Sequence, residues 1–178
     1  MVAMSGLCGA VRLTAAAARR WKKFLHVAVK AAFLISTGFG VGCRSIPPLP
    51  PADFSAPGWR VQPGQAIWKP LKNKTELAGE LLLATNANGN VFVQFSKTPF
   101  ALATAQVAGD RWQIEFGAGD YQRGGRGRPP ARFAWFQLPR ALAGADLPRG
   151  WKFSRAEKNS WRLDNARTGE ILEGTFFP

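Results

Sequence analysis

The chain has 178 residues, with 24 Lys or Arg against 11 Asp or Glu and a formal charge of +13. Six of the basic residues and none of the acids fall in residues 1–42, so the remainder carries 18 basic against 11 acidic side chains, a net +7. The single histidine, His26, and one of two cysteines, Cys8, also fall there; beyond residue 42 that excludes Ser-His and Cys-His nucleophile pairs, histidine-based metal sites and an internal disulfide.

Arg19, Arg20, Lys22 and Lys23 precede an apolar run from Ala31 to Gly42 and then Cys43. A positive stretch, a short apolar run and small residues before a cleavage point read as a secretory signal. The run is too short for a spanning helix, which needs about 20 apolar residues, and Lys30 interrupts it. Gly40-Val41-Gly42-Cys43 resembles the lipobox of bacterial lipoproteins, in which the cysteine becomes the lipidated first residue; Gly40 stands where Leu is usual. Residues 1–42 are therefore expected to be a signal peptide of lipoprotein type and Cys43 its lipidation site. Residues 43–57 hold five prolines and are expected to form an extended tether of polyproline II type, because proline fixes φ and donates no hydrogen bond.

Residues 58–178 read as one mainly β domain. Short strands are expected at 59–62 and 65–69. Longer ones come at 76–85 and 91–95, joined by Asn86-Ala87-Asn88-Gly89-Asn90, whose residues suit a hairpin. After Pro99 comes 100–107. Arg111–Phe116 alternates most cleanly: Trp112, Ile114 and Phe116 share one face, Arg111, Gln113 and Glu115 the other. Gly117 to Arg128 reads as a glycine-rich break. Pro129 and Pro130 suit a helix start; Pro139 divides the helical segment into two pieces, 130–137 and 139–143, ending near Gly144. Strands return at 151–155, 161–165 and 170–176. The expected fold is an incomplete (open) antiparallel β-barrel, or strongly curved sheet, of about eight strands, capped by a small helical insertion.

Several side chains stand out as candidates. Leu81, Leu83, Phe92, Trp112, Ile114, Phe116, Trp135, Leu138 and Leu142 are expected to line the inside of the curved sheet, as an apolar cavity or a packed core; the sequence leaves both open. Phe100 and Leu102, just after Pro99, form an apolar tip if the chain bulges there. Arg123, Arg126, Arg128 and Arg132 form a basic rim, read as a surface loop suited to phosphate headgroups rather than as a nucleic-acid element. Glu170 and Glu173, the nearest approach to a carboxylate pair, fall on opposite faces of a strand, where a glycosidase needs them across one cleft. No enzymatic activity, cofactor or metal is expected.

Three stretches, GELLLATNANGNVFVQFSKTPFAL, RPPARFAWFQLPRALAGADLP and GWKFSRAEKNSWRLDN, together with the lipobox-like signal, resemble the LolA/LolB superfamily, on the side of the outer-membrane lipoprotein receptor LolB. The resemblance spans roughly Leu77 to Thr175. It implies an open β-barrel capped by helices that binds the acyl chains of lipoproteins handed over by a periplasmic carrier, with Phe100 and Leu102 at the membrane-inserting protrusion. The body is shorter than is typical of that group, and its glycine-rich 117–128 segment is not a feature of it.

The sequence thus points to a monomeric, non-catalytic lipoprotein. Cys43 would anchor it to the periplasmic face of the outer membrane, where it would bind acyl chains and assist lipoprotein or lipid transfer. A structural envelope lipoprotein with a filled core is the first alternative; a basic nucleic-acid-binding protein is the second.

Overall fold

The computed structural model describes residues 47–117, 121–156 and 159–178. The signal segment and Cys43 lie outside the described residues. Among the described residues, nine strands and one helix occur in chain order: β1 (Trp59–Lys69), β2 (Leu77–Asn86), β3 (Val91–Lys97), β4 (Phe100–Ala108), β5 (Arg111–Phe116), β6 (Tyr121–Arg126), α1 (Ala134–Leu142), β7 (Trp151–Arg155), β8 (Ser160–Asn165) and β9 (Ile171–Phe176). All nine strands join one antiparallel sheet in the order β6-β5-β4-β3-β2-β1-β9-β8-β7. β6 and β7 are its two edges, so the sheet is not closed into a barrel. An open curved sheet with one small helix is the architecture expected from the sequence.

Three details correct the sequence reading. β1 is one strand rather than two, running straight through Pro63. The Pro63 carbonyl accepts from Phe177 N–H at 2.9 Å, so the missing proline donor faces the side where pairing with β9 is just ending, and no bond to β2 is lost. The glycine-rich break contains a strand, β6, paired along its length with β5. The helical insertion is a single helix with Pro139 inside it. An internal proline costs about 3 kcal/mol, but Trp135, Phe136, Leu138 and Ala141 are all buried, and each large apolar side chain so placed contributes about 1.5–3 kcal/mol. Packing wins. The helix ends where expected: Gly144, at φ +74°, donates to the Ala141 carbonyl at 3.0 Å, a left-handed C-terminal residue that favours glycine.

The sheet coils around α1. Gly64 and Gly174 lie where β1 and β9 approach, and Gly79 where β2 approaches β3, so closely that an added Cβ would strike a carbonyl oxygen of the neighbouring strand, and only glycine permits that approach. The core fills the space between sheet and helix. Phe95 stacks on Trp135 at 5.4 Å, and Trp68 meets Phe95, Trp135 and Phe116 at 6.2, 5.2 and 5.8 Å. Two bonds bind the helix and its flank to β7, Trp151 Nε1 to the Ala131 carbonyl (2.7 Å) and Arg155 Nη2 to the Leu142 carbonyl (2.8 Å), and Arg140 Nη2 to the Asp146 carbonyl (2.7 Å) holds the loop that follows the helix.

The sheet's outer face has an apolar patch of its own. From Pro47 to Phe54 the chain that reads as a tether lies against β3, β4 and β5. The Leu49 amide donates to Gln113 Oε1 at 2.6 Å, Gln106 Nε2 donates to the Pro50 carbonyl at 3.1 Å, and Arg111 donates to the Pro47 carbonyl. Leu49 is buried, and Phe54 packs edge-on against Trp59 and Phe92 at 5.6 and 5.1 Å. This strap explains why Ala84 and Phe92, cross-strand partners on the outer face, are buried. Within it, Ser55 donates to Asp53 from its hydroxyl and its amide, which holds the Asp53 carboxyl below the usual range.

Candidate functional site

Strand alternation sorts the expected cavity residues. Leu81, Leu83, Trp112, Ile114 and Phe116 face α1; Trp135 and Leu138 project from α1 into the same space. Phe92 is the exception. It points to the outer face, beneath the strap, because β3 is apolar on both sides. The centre is packed: Leu81, Ile114, Trp135 and Leu138 are at most 2% exposed and belong to one buried cluster with Phe95 and Leu163.

An opening does exist at one end of this core. A cleft of about 550 Å³ lies between the C-terminal half of α1 and the ends of β1, β2, β3 and β4. Leu83, Val91 and Val107 form one wall; Phe136, Pro139 and Leu142 form the other. Arg60, Gln62, Asn86, Asn90 and Arg140 supply polar groups around it. Of the expected cavity residues, Leu83 and Leu142 line this cleft. Sequence reasoning missed Phe136, Pro139 and Arg60. Helical spacing carried a signal for the first two, since residues 136, 139 and 140 fall along one flank of α1.

The expected basic rim lies elsewhere. Arg123 and Arg126 are on edge strand β6, with Arg128 and Arg132 just beyond it, all exposed. Arg126 sits 3.8 Å from Asp110, and Arg132 lies 4.6 Å over the Phe133 ring. The guanidinium groups beside the cleft are those of Arg60 and Arg140. The apolar tip is divided: Phe100 is 64% exposed, while Leu102 packs on the core. The division comes from a bulge. Phe95 pairs with Ala103 and Ser96 with Ala101, leaving Leu102 as an extra residue in β4 and turning it inward.

A larger concavity of about 930 Å³ lies on the outer face across β1, β2, β8 and β9. Its lining mixes Gln65, Ser96, Thr98, Ser160, Thr175 and the Arg162–Glu173 ion pair with Ala66, Ile67, Ala78 and Trp161, a mixed surface more open than the smaller cleft and crossed by an ion pair. Glu173 is thus on the outer face. Glu170 is buried on the helix side, where Trp68 Nε1 donates to its carboxylate at 3.0 Å. Burial pushes the Glu170 carboxyl up to about 7, and the Trp68 bond only partly opposes it. Among the described residues, no group of three His, Cys, Asp or Glu is placed to hold a metal ion, and no helix is long and apolar enough to cross a membrane. No protein-family model matches the chain, and no curated protein matches its sequence.

Proposed function

We propose that the protein is an envelope lipoprotein, anchored to the outer membrane through acylated Cys43, that takes an acyl chain into the cleft beneath α1 and assists transfer of acylated cargo. The observation that carries this reading is the cleft itself: two apolar walls, a volume of about 550 Å³ within the ~300–1,000 Å³ range of ligand pockets, and cationic side chains beside it. A methylene group entering such walls contributes about 0.8 kcal/mol. Arg60 and Arg140 suit a carboxylate or phosphate at the end of the chain, because guanidinium pairs with such groups through two parallel hydrogen bonds. The described lining of the cleft is apolar side chains, amides, a threonine and two guanidinium groups, which supports binding as the proposed role. A periplasmic carrier protein is the proposed donor of cargo, in keeping with the LolB-like stretches.

The filled centre favours one competing reading, a structural lipoprotein with a solid core. Titration with a fluorescent fatty acid separates the two. The expected result is saturable binding that Leu142→Arg, at the half-exposed lip of the cleft, weakens at least tenfold without altering the circular dichroism spectrum. Absence of saturable binding to the unmodified protein would establish the solid-core reading instead.

A further inference from the structure

The strap and the cleft lie at the same end of the sheet. From β1 to β6 the chain meanders, so its turns alternate between two ends. One end holds the start of β1, the β2–β3 turn, the β4–β5 turn and the end of β6; the other holds the β1–β2 connection and the β3–β4 turn beside Phe100. The strap crosses the sheet at the first end: Arg111 opens β5, and Gln113 and Gln106 are cross-strand partners two residues in. The cleft is bounded there too, by Arg60 near the start of β1 and by Asn86, Gly89 and Asn90 of the β2–β3 turn.

We infer that this end is the membrane-facing surface of the protein, resting on anionic lipid headgroups, with the cleft opening toward the bilayer that holds the anchor. The inference rests on the proposed lipidation of Cys43. Only Arg44, Ser45 and Ile46 separate that cysteine from Pro47, and a chain spans at most about 3.5 Å per residue. The leash from lipid to docked strap is therefore short, on the order of 15 Å. Arg60, Arg126 and Arg128 are exposed at this end, with Asp110 as the acid beside Arg126. Each cation brought to an anionic surface is drawn to its headgroups. Charge alone does not choose the end, because Lys72, Lys74 and Lys97 are exposed at the opposite one. The strap makes the choice. Phe100 then sits one strand length away, roughly 30 Å at about 3.3 Å per residue, and points away from the anchoring membrane.

Depth-dependent fluorescence quenching tests this in membranes from cells expressing the full chain. A single cysteine is introduced at Asn88 or Arg128 at one end, or at Lys74 or Phe100 at the other, and labelled with an environment-sensitive dye. Spin-labelled anionic lipid is expected to quench the dye at 88 and 128 several-fold more than at 74 and 100. Equal quenching, or the reverse order, overturns the inference. Leu49→Asp combined with Gln113→Ala releases the strap and is expected to even out the four positions; an unchanged pattern also overturns it. Fractionation reports separately on the anchor. If the unmodified chain is absent from membranes, or if Cys43→Ser leaves its membrane fraction unchanged, the lipid anchor fails and the inference with it. Anchoring with the wrong orientation sinks the inference alone.

Discussion

Glu170→Gln offers the sharpest test of how this core is built. The carboxyl of Glu170 is buried beside Trp68, whose indole belongs to the central aromatic cluster with Phe95, Phe116 and Trp135. Its pKa rises from 4.5 to about 7 on folding. Between these values the folded protein binds more protons than the unfolded chain, so stability falls as pH rises through that window and levels off above it. At about 1.4 kcal/mol per unit, the loss is on the order of 3 kcal/mol. Glutamine is neutral throughout and its oxygen can still accept from Trp68 Nε1. Glu170→Gln is therefore expected to match the unmodified protein near pH 4.5 and to exceed it by up to about 3 kcal/mol at pH 8, or on the order of 10 °C in Tm. Urea denaturation monitored by tryptophan fluorescence at half-unit pH steps measures both curves. Comparing the two proteins cancels the titration of every other group. A difference that does not grow between pH 5 and 7.5, or a Glu170→Gln protein less stable at every pH, would refute the reasoning.

Two further substitutions probe the packing. An added Cβ at Gly125 would lie 2.6 Å from the Trp112 ring, so Gly125→Ala is expected to destabilise by about 1–3 kcal/mol through overpacking; a change under about 0.5 kcal/mol in urea denaturation would show that Trp112 is not held across β6. Gln137 is 2% exposed and its Oε1 has no partner among the described residues. An unsatisfied buried acceptor costs about 1–3 kcal/mol, so Gln137→Met is expected to raise stability by about 1 kcal/mol, and a loss of that size in the same assay would contradict the assignment.

The strands legible in the sequence are those with one wet and one dry face. Arg111–Phe116 is the clearest, because Trp112, Ile114 and Phe116 meet the helix while the residues between them do not. Tyr121–Arg126 is not legible that way. Its glycines and arginines carry no apolar alternation, and it is a strand because β5 offers an unpaired edge and Gly125 leaves room for Trp112. Pro139 misleads for the opposite reason: local propensity argues for a break, and burial of Trp135, Leu138 and Ala141 overrides it. Phe92 reads onto the wrong face because Val91, Phe92 and Val93 are all apolar, a pattern that makes sense only once the strap covers the outer side. The cleft depends on where helix and sheet part company, a three-dimensional fact with no local sequence signal; of its lining, the sequence reading names Leu83 and Leu142, and helical spacing adds Phe136 and Pro139.

The strap also changes where this protein begins as a mechanical object. Residues inserted ahead of Pro47 would lengthen the proposed leash without touching the strap's contacts with β3, β4 and β5. The same residues inserted between Pro51 and Gly58 would pull Phe54 off Phe92 and open the outer face to water. Two neighbouring stretches of a proline-rich segment thus have opposite tolerances, one set by distance and the other by fit.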